Sequence, residues 1–280
     1  TRQLPQPHPP PPPPKFPRSR NQQHRAQIIC GDALVELTRL PANSFDAILT
    51  DPPYSSFSTS SSGTGSRYLT SKKWAESRNR GSAGITCPDF AGEQRDPRAW
   101  LKWASLWLSE CYRLAKPGAL CAVFSDWRQL PNLTDAIRVA GWTWRGILVW
   151  DKTNAVRPVK GAFANQCEFI GVAFKGKPAL AGIGPYPGSY FRQQAPRQRV
   201  HQVQKPLELC EWILQVSRPG GRVLDPFAGS STSGVAALNT GRSFLGIEMT
   251  REYFEVSRRR LRQAERDLSR TDLDALAAAS

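Results

Sequence analysis

The chain has 280 residues, 40% of them hydrophobic, enough for one catalytic-sized core with elaborations. No apolar run approaches the ~20 residues of a membrane span, and six scattered cysteines without C-x-x-C spacing suit reduced, buried thiols of a cytoplasmic protein better than a disulfide framework. Of only three histidines two lie in the N-terminal tail, so no metal site is expected, while 38 Lys and Arg against 23 Asp and Glu leave a net charge of +15 that points to a polyanionic partner, nucleic acid first.

Residues 1–26 carry six consecutive prolines, five basic residues and no acid. Such a segment cannot form a core and is expected to be disordered or polyproline II, as a solvated linker or a DNA-contacting arm. Thr1 stands first and Met249 is the only methionine, so the natural start is expected to be missing or processed. Gln27 to Cys30 reads as a short strand, followed by Gly31-Asp32-Ala33 and a helix with Leu34, Leu37 and Leu40 on one face. Asp32 then sits just past a strand end, where it either faces a ligand crevice or caps the helix.

Phe45 to Thr50 is an apolar run of the kind that forms a buried parallel strand, and Asp51-Pro52-Pro53-Tyr54 follows at its carboxyl end, where open α/β sheets keep their crevices. Each proline fixes φ at ~−65° and lacks an N–H, so the carbonyls of this turn point in set directions. The Asp51 carboxylate and the Pro52 carbonyl are both acceptors and can take the two N–H bonds of one exocyclic amino group. Tyr54 offers a broad face for a base taken out of its stack. The plainer reading is a two-proline turn in which Asp51 is only a cap.

Segment 55–96 is rich in Ser and Gly, with Arg67, Lys72, Lys73, Arg78 and Arg80 set among Tyr68 and Trp74. Basic residues interleaved with aromatics beside such a turn point to DNA contact, the rival being a lid. Pro97 to Ala115 is predicted helical, and Trp100, Trp103, Leu106, Trp107, Leu108, Cys111 and Leu114 make its apolar face wider than packing on one sheet would hide. A homodimer using the surface near Trp100, Trp103 and Trp107, with a palindromic target, is therefore expected, against burial of the helix between the sheet and segment 55–96. Lys116-Pro117-Gly118 is read as the helix stop.

A strand at 119–124, a helix at 128–140 and a strand at 144–150 come next, with 168–174 predicted as an antiparallel partner of the last. Segment 176–204 is irregular and basic, carrying Lys177, Arg192, Arg197, Arg199 and His201, and is the second candidate DNA-reading stretch. After a helix at 206–216, the strand 222–224 runs into Asp225-Pro226-Phe227-Ala228-Gly229-Ser230-Ser231-Thr232 and a helix through Leu238. Strand, small-residue turn and helix N-terminus let a cofactor approach the backbone closely. The strand 243–247 ends at Glu248, about 20 residues on, where doubly wound nucleotide folds keep an acid for ribose hydroxyls. Residues 251–268 form a basic amphipathic helix with Arg258, Arg259, Arg260 and Arg262, and 269–280 are expected to fray.

In their order these stretches resemble the β class of DNA amino-methyltransferases, in which a D-P-P-Y catalytic motif precedes an F-x-G-x-G cofactor motif; the likeness is to phage- or prophage-type adenine N6 enzymes. It covers about residues 27–265 and also takes in Phe124-Ser125-Asp126-Trp127, Trp150-Asp151-Lys152 and Gln204-Lys205-Pro206. The resemblance implies an α/β fold, a Rossmann-like seven-stranded, mostly parallel sheet with one antiparallel strand, circularly permuted motif order and long DNA-facing loops. It implies S-adenosylmethionine as methyl donor and double-stranded DNA as partner. By position, Asp225 to Ser230 would line the methionine moiety, with Ser231 and Thr232 following. Lys205 would meet the methionine carboxylate, Glu248 with Met249 the ribose hydroxyls, Asp32 with Ala33 the adenine edge, and Phe227 the sulfonium; Asp51 would border both substrate and cofactor. Ser231 departs from the family, which usually has Gly there. The expected reaction is methyl transfer to adenine N6, the alternatives being cytosine N4 or a catalytically silent DNA-binding relative. The chain thus divides into a tail (1–26), a catalytic domain (27–268) and a frayed end (269–280).

Overall fold

The computed structural model describes residues 26–55, 95–153, 161, 163–196 and 205–277. The expectations for the proline-rich tail before Ala26, for Arg67, Lys72, Lys73, Arg78 and Arg80, and for Arg197, Arg199 and His201 lie outside the described residues.

β2 (Phe45–Thr50) is buried at every position, as a parallel strand covered by helices on both faces must be. Its neighbour β3 (Ala115–Ser125) sends Cys121 and Val123 into one core and Leu120, Ala122 and Phe124 into the other. The first core is closed by α1 (Ala33–Glu36), α2 (Pro97–Leu114) and α3 (Leu130–Val139). The second is closed by α4 (Leu207–Leu214), α5 (Thr232–Asn239) and α6 (Arg251–Ala277).

The remaining strands are β1 (Ala26–Cys30), β4 (Thr143–Asp151), β5 (Cys167–Phe174), β6 (Tyr190–Arg192), β7 (Arg222–Asp225) and β8 (Ser243–Glu248). Their order in the sheet is β1-β8-β7-β2-β3-β5-β4-β6. Among the described strands only β5 runs against its neighbours, β3 and β4, in keeping with the antiparallel partner expected at 168–174. Among the described residues the sheet has eight strands rather than seven, because Tyr190–Arg192 adds a parallel edge to the end of β4. The last helix continues to Ala277, through residues expected to fray. Ala115 is already strand, so Lys116-Pro117-Gly118 lies inside a register shift between β2 and β3 instead of ending the helix.

β2 and β7 are adjacent at the centre, and the chain winds outward from them in opposite directions. Their carboxyl ends therefore form the switch point at which such sheets bind ligands. Asp51-Pro52-Pro53-Tyr54 leaves β2 there, and Pro226 to Ser231 leaves β7.

The tryptophan helix α2 corrects the expectation of a dimer surface. Trp100 and Trp107 are fully buried within the chain. Trp103 is partly buried, with its ring 5.3 Å from that of Phe227, and Trp107 lies 5.2 Å from the same ring. The wide apolar face is explained by two coverings: the sheet beneath, and the Phe227 turn beside it. Leu106 is the exposed large apolar residue of this helix. Among the described residues no helix is long and apolar enough to cross a membrane.

Candidate active site

The two turns line one cavity of about 390 Å³. Asp51, Pro52, Pro53 and Tyr54 border it on the β2 side; Asp225, Pro226, Phe227, Ala228, Gly229, Ser230 and Thr232 border it on the β7 side, with Asp32, Ala33, Glu248 and Met249 closing that end. Ser55 and Arg95, which flank segment 56–94, also line it.

On the β2 side the proline turn is fixed from outside: the Trp100 indole N–H donates to the Pro53 carbonyl at 2.8 Å. Asp51 Oδ1 accepts the Tyr54 hydroxyl at 2.5 Å, and Oδ2 lies 2.9 Å from Lys205 Nζ. The Tyr54 ring was expected to serve as a stacking face; its hydroxyl, given no role by the sequence, holds the carboxylate and accepts from Lys205 at 3.2 Å. Burial raises the Asp51 carboxyl above its usual range, and Lys205 pulls it back. Burial and the nearby Asp51 charge push the Tyr54 phenol well up, so this hydroxyl stays protonated.

Lys205 is buried, and its ammonium sits between Asp51 and Glu168, each at 2.9 Å, with the rings of Tyr54 and Phe124 at 5.4 and 5.2 Å. Burial acts against this charge, but the two carboxylates outweigh it and raise its proton affinity. The resemblance implies that it meets the methyl-donor carboxylate; in this structure it is paired with two carboxylates of the protein, as a buried ammonium requires.

On the β7 side, Asp225 is locked by three donors: Thr50 Oγ1 at 2.6 Å and the Phe227 amide at 3.0 Å on Oδ1, and the Ser233 hydroxyl on Oδ2. Burial pushes its carboxyl up to about 6. Glu248 takes the Gly229 amide at 2.9 Å and the Thr250 amide at 2.8 Å, one on each oxygen, which still leaves acceptor capacity on both. Asp32 performs its capping role, accepting from the Leu34 amide at 2.8 Å, while its side chain faces the cavity. α6 braces the turn from behind through Ser257, which donates to the Gly229 carbonyl at 2.6 Å, and Arg260, which donates to the Ser230 carbonyl and, at 2.9 Å, to its hydroxyl.

Ser231 is not in the cavity wall. It is completely buried at φ +56°, in the left-handed region, and its hydroxyl has no hydrogen-bond partner among the described residues. A Gly at this position would adopt that backbone without strain, which is the physical sense of the family preference. Arg192, a candidate DNA contact, lies outside the cavity and 3.4 Å from Asp151. Sequence reading missed Glu168, Trp100, Ser257 and Arg260. Each acts on a residue far away in the chain, and no local spacing marks it.

The family model described as DNA methylase of the N6/N4 type matches residues 45–259, a span that holds both turns. YubD of Escherichia coli (strain K12) is 30% identical over 242 residues, 86% of this chain and 92% of that one. The DNA adenine methyltransferase YhdJ of the same strain is 29% identical over 271 residues, 84% of this chain and 82% of its own. In the solved M1.HpyAVI-SAM complex the matching chain is 25% identical, with a TM-score of 0.58 over 85% of this chain and all of that one. With most of its length matched and both turns brought to one cavity at the sheet's switch point, this chain belongs to the N6/N4 DNA methylase family.

Proposed function

We propose that the protein is a site-specific DNA methyltransferase that moves a methyl group from S-adenosylmethionine to the N6 of an adenine turned out of duplex DNA. The observation that carries this reading is the meeting of the Asp51 turn and the Asp225–Ser230 turn in one cavity. The cavity suits the cofactor chemically. Asp32 and Glu248 are acceptors for nucleoside hydroxyls and amines, and the buried Asp225 with the Phe227 ring favours a sulfonium cation nearby. When bound, S-adenosylmethionine supplies an electrophilic methyl group.

The protein's own part is to make a poor nucleophile attack. An exocyclic amine conjugated to its ring holds its lone pair in the π system. Hydrogen bonds from its two hydrogens to the Asp51 carboxylate and the Pro52 carbonyl draw it toward sp³ geometry and stabilise the positive charge that builds on nitrogen. Tyr54 offsets part of the unstacking cost, a few kcal/mol. Adenine is preferred because the motif begins with Asp51 and because YhdJ is an adenine enzyme by name. Segments 55–96 and 176–204 are proposed to contact DNA, supported by their basic composition and by Ser55 and Arg95 at the cavity.

Expression in a methylation-free host followed by modification-sensitive sequencing tests the reading. N6-methyladenine at a fixed motif is expected. N4-methylcytosine would reassign the base, and unmodified DNA from cells holding folded, S-adenosylmethionine-binding protein would overturn the activity.

A further inference from the structure

Glu168 stands near the start of β5, which runs antiparallel to β3 and β4, and its side chain faces the cavity. Its oxygens divide between two ammonium groups: Oε2 is 2.9 Å from Lys205 Nζ as an ion pair, and Oε1 is 3.2 Å from Lys152 Nζ. Lys205 in turn meets Asp51 at 2.9 Å. Asp51, Lys205, Glu168 and Lys152 therefore form a row of alternating charge leading from the proline turn to Lys152. Among the described residues, the other titratable groups around Asp51 are Tyr54 of its own turn, Asp126 after β3, Cys210 of α4 and Asp225 at the end of β7, while Arg95 and Arg128 line the same cavity.

A carboxylate in this setting is pulled two ways. Burial favours its protonated form, which cannot take up a further proton from the methylated amine. An ammonium belonging to it alone would hold it as a fixed ion pair and make it a poor proton acceptor. A shared ammonium avoids both extremes.

We propose that Glu168 is a positioning residue that, by sharing Lys205 with Asp51, keeps the Asp51 carboxylate ionised yet able to take the proton shed by the methylated amine. This rests on Asp51 being the acceptor of the target amine, as proposed above. The amine's lone pair forms the new nitrogen–carbon bond as the methyl–sulfur bond of S-adenosylmethionine breaks with its electron pair staying on sulfur, so nitrogen takes the positive charge. The N–H bond then breaks with its electron pair staying on nitrogen, and the proton passes to an Asp51 oxygen and on to solvent.

The test is the pH profile of tritium transfer from labelled S-adenosylmethionine, at saturating cofactor, into genomic DNA of a methylation-free host. Glu168→Gln gives Lys205 wholly to Asp51, and the acid limb of the profile should move down by about one pH unit. Lys205→Met removes the cation, and the limb should move up by about one unit or more. Glu168→Asp should return the limb toward the wild-type position. Shifts of opposite sign cannot come from mere loosening of the fold, which melting curves and calorimetric cofactor binding monitor separately. If Glu168→Gln does not fold, Lys152→Met replaces it: freeing Glu168 to hold Lys205 more closely should move the limb up. Folded variants whose limbs stay in place, or in which Glu168→Gln and Lys205→Met move the limb the same way, overturn the role of Glu168. Transfer that survives in Asp51→Asn would instead overturn the underlying reading of Asp51.

Discussion

At Asp51 the chemistry is concentrated in one side chain, and its removal should be read in rate rather than in fold. Asp51→Ala is expected to cost at least ~10²-fold in turnover, by analogy with other preorganised charge-stabilising groups. Calorimetric binding of S-adenosylmethionine should be largely kept. Tyr54 divides into a ring and a hydroxyl with separate tasks. Tyr54→Phe keeps the face but loses the 2.5 Å bond to Asp51, so it should lose turnover less steeply than Tyr54→Ala; equal losses would assign the whole effect to the hydroxyl. Ser231 is the converse case, a residue whose side chain costs stability where it stands. A left-handed non-glycine backbone and a buried hydroxyl without a partner are both unfavourable. Ser231→Gly is therefore expected to stabilise the protein by about 1 kcal/mol, a rise of ~2–4 °C in Tm. A melting curve that falls instead would mean that the hydroxyl has a partner only in the working enzyme.

α2 shows what an element can and cannot reveal in sequence. Its tryptophan stripe announces burial, and Asp96 with Pro97 announces its start, the carboxylate accepting from the Arg98 and Ala99 amides at 2.9 and 3.0 Å. What covers the stripe is not announced, since Phe227 lies over a hundred positions away and meets Trp103 and Trp107 only in the fold. The central strands were legible because both faces are apolar and each ends at a small-residue or proline turn. β6 was not, because the three residues Tyr190, Phe191 and Arg192 are too short to show a period. Residues 269–277 lack an apolar stripe, yet Ala and Leu carry the helix on by propensity. In the site, both turns were visible as motifs, whereas Glu168 and Trp100 act across the sheet and had no local signature. Trp100→Phe separates the packing of this helix from its service to the turn. An aromatic ring is kept, though a smaller one, while the bond to the Pro53 carbonyl is lost, so stability should fall by about 2 kcal/mol, and turnover should fall by more than that loss of stability explains. Unchanged turnover would show that the prolines hold the turn unaided.

For the molecule as a whole, the sheet opens at β1, which pairs with β8 and is covered by α6. The amide of Ala26 donates to Glu265 Oε1 at 2.8 Å across 239 positions of sequence. The beginning of the first strand and the body of the last helix are thus neighbours in space. A gene rejoined by a short flexible linker from Leu268 to Ala26 and reopened in the exposed turn between Pro219 and Gly220 would place the cofactor turn ahead of the proline turn. It should still fold, bind S-adenosylmethionine and modify the same DNA sequence, with sequencing of host DNA as the check. Loss of cofactor binding in that rearranged chain would show that β1 must be made first. If the rearranged chain works, the order in which these motifs are spelled becomes a matter of ancestry, and the sheet is a ring of adjacencies that evolution was free to cut at any loop.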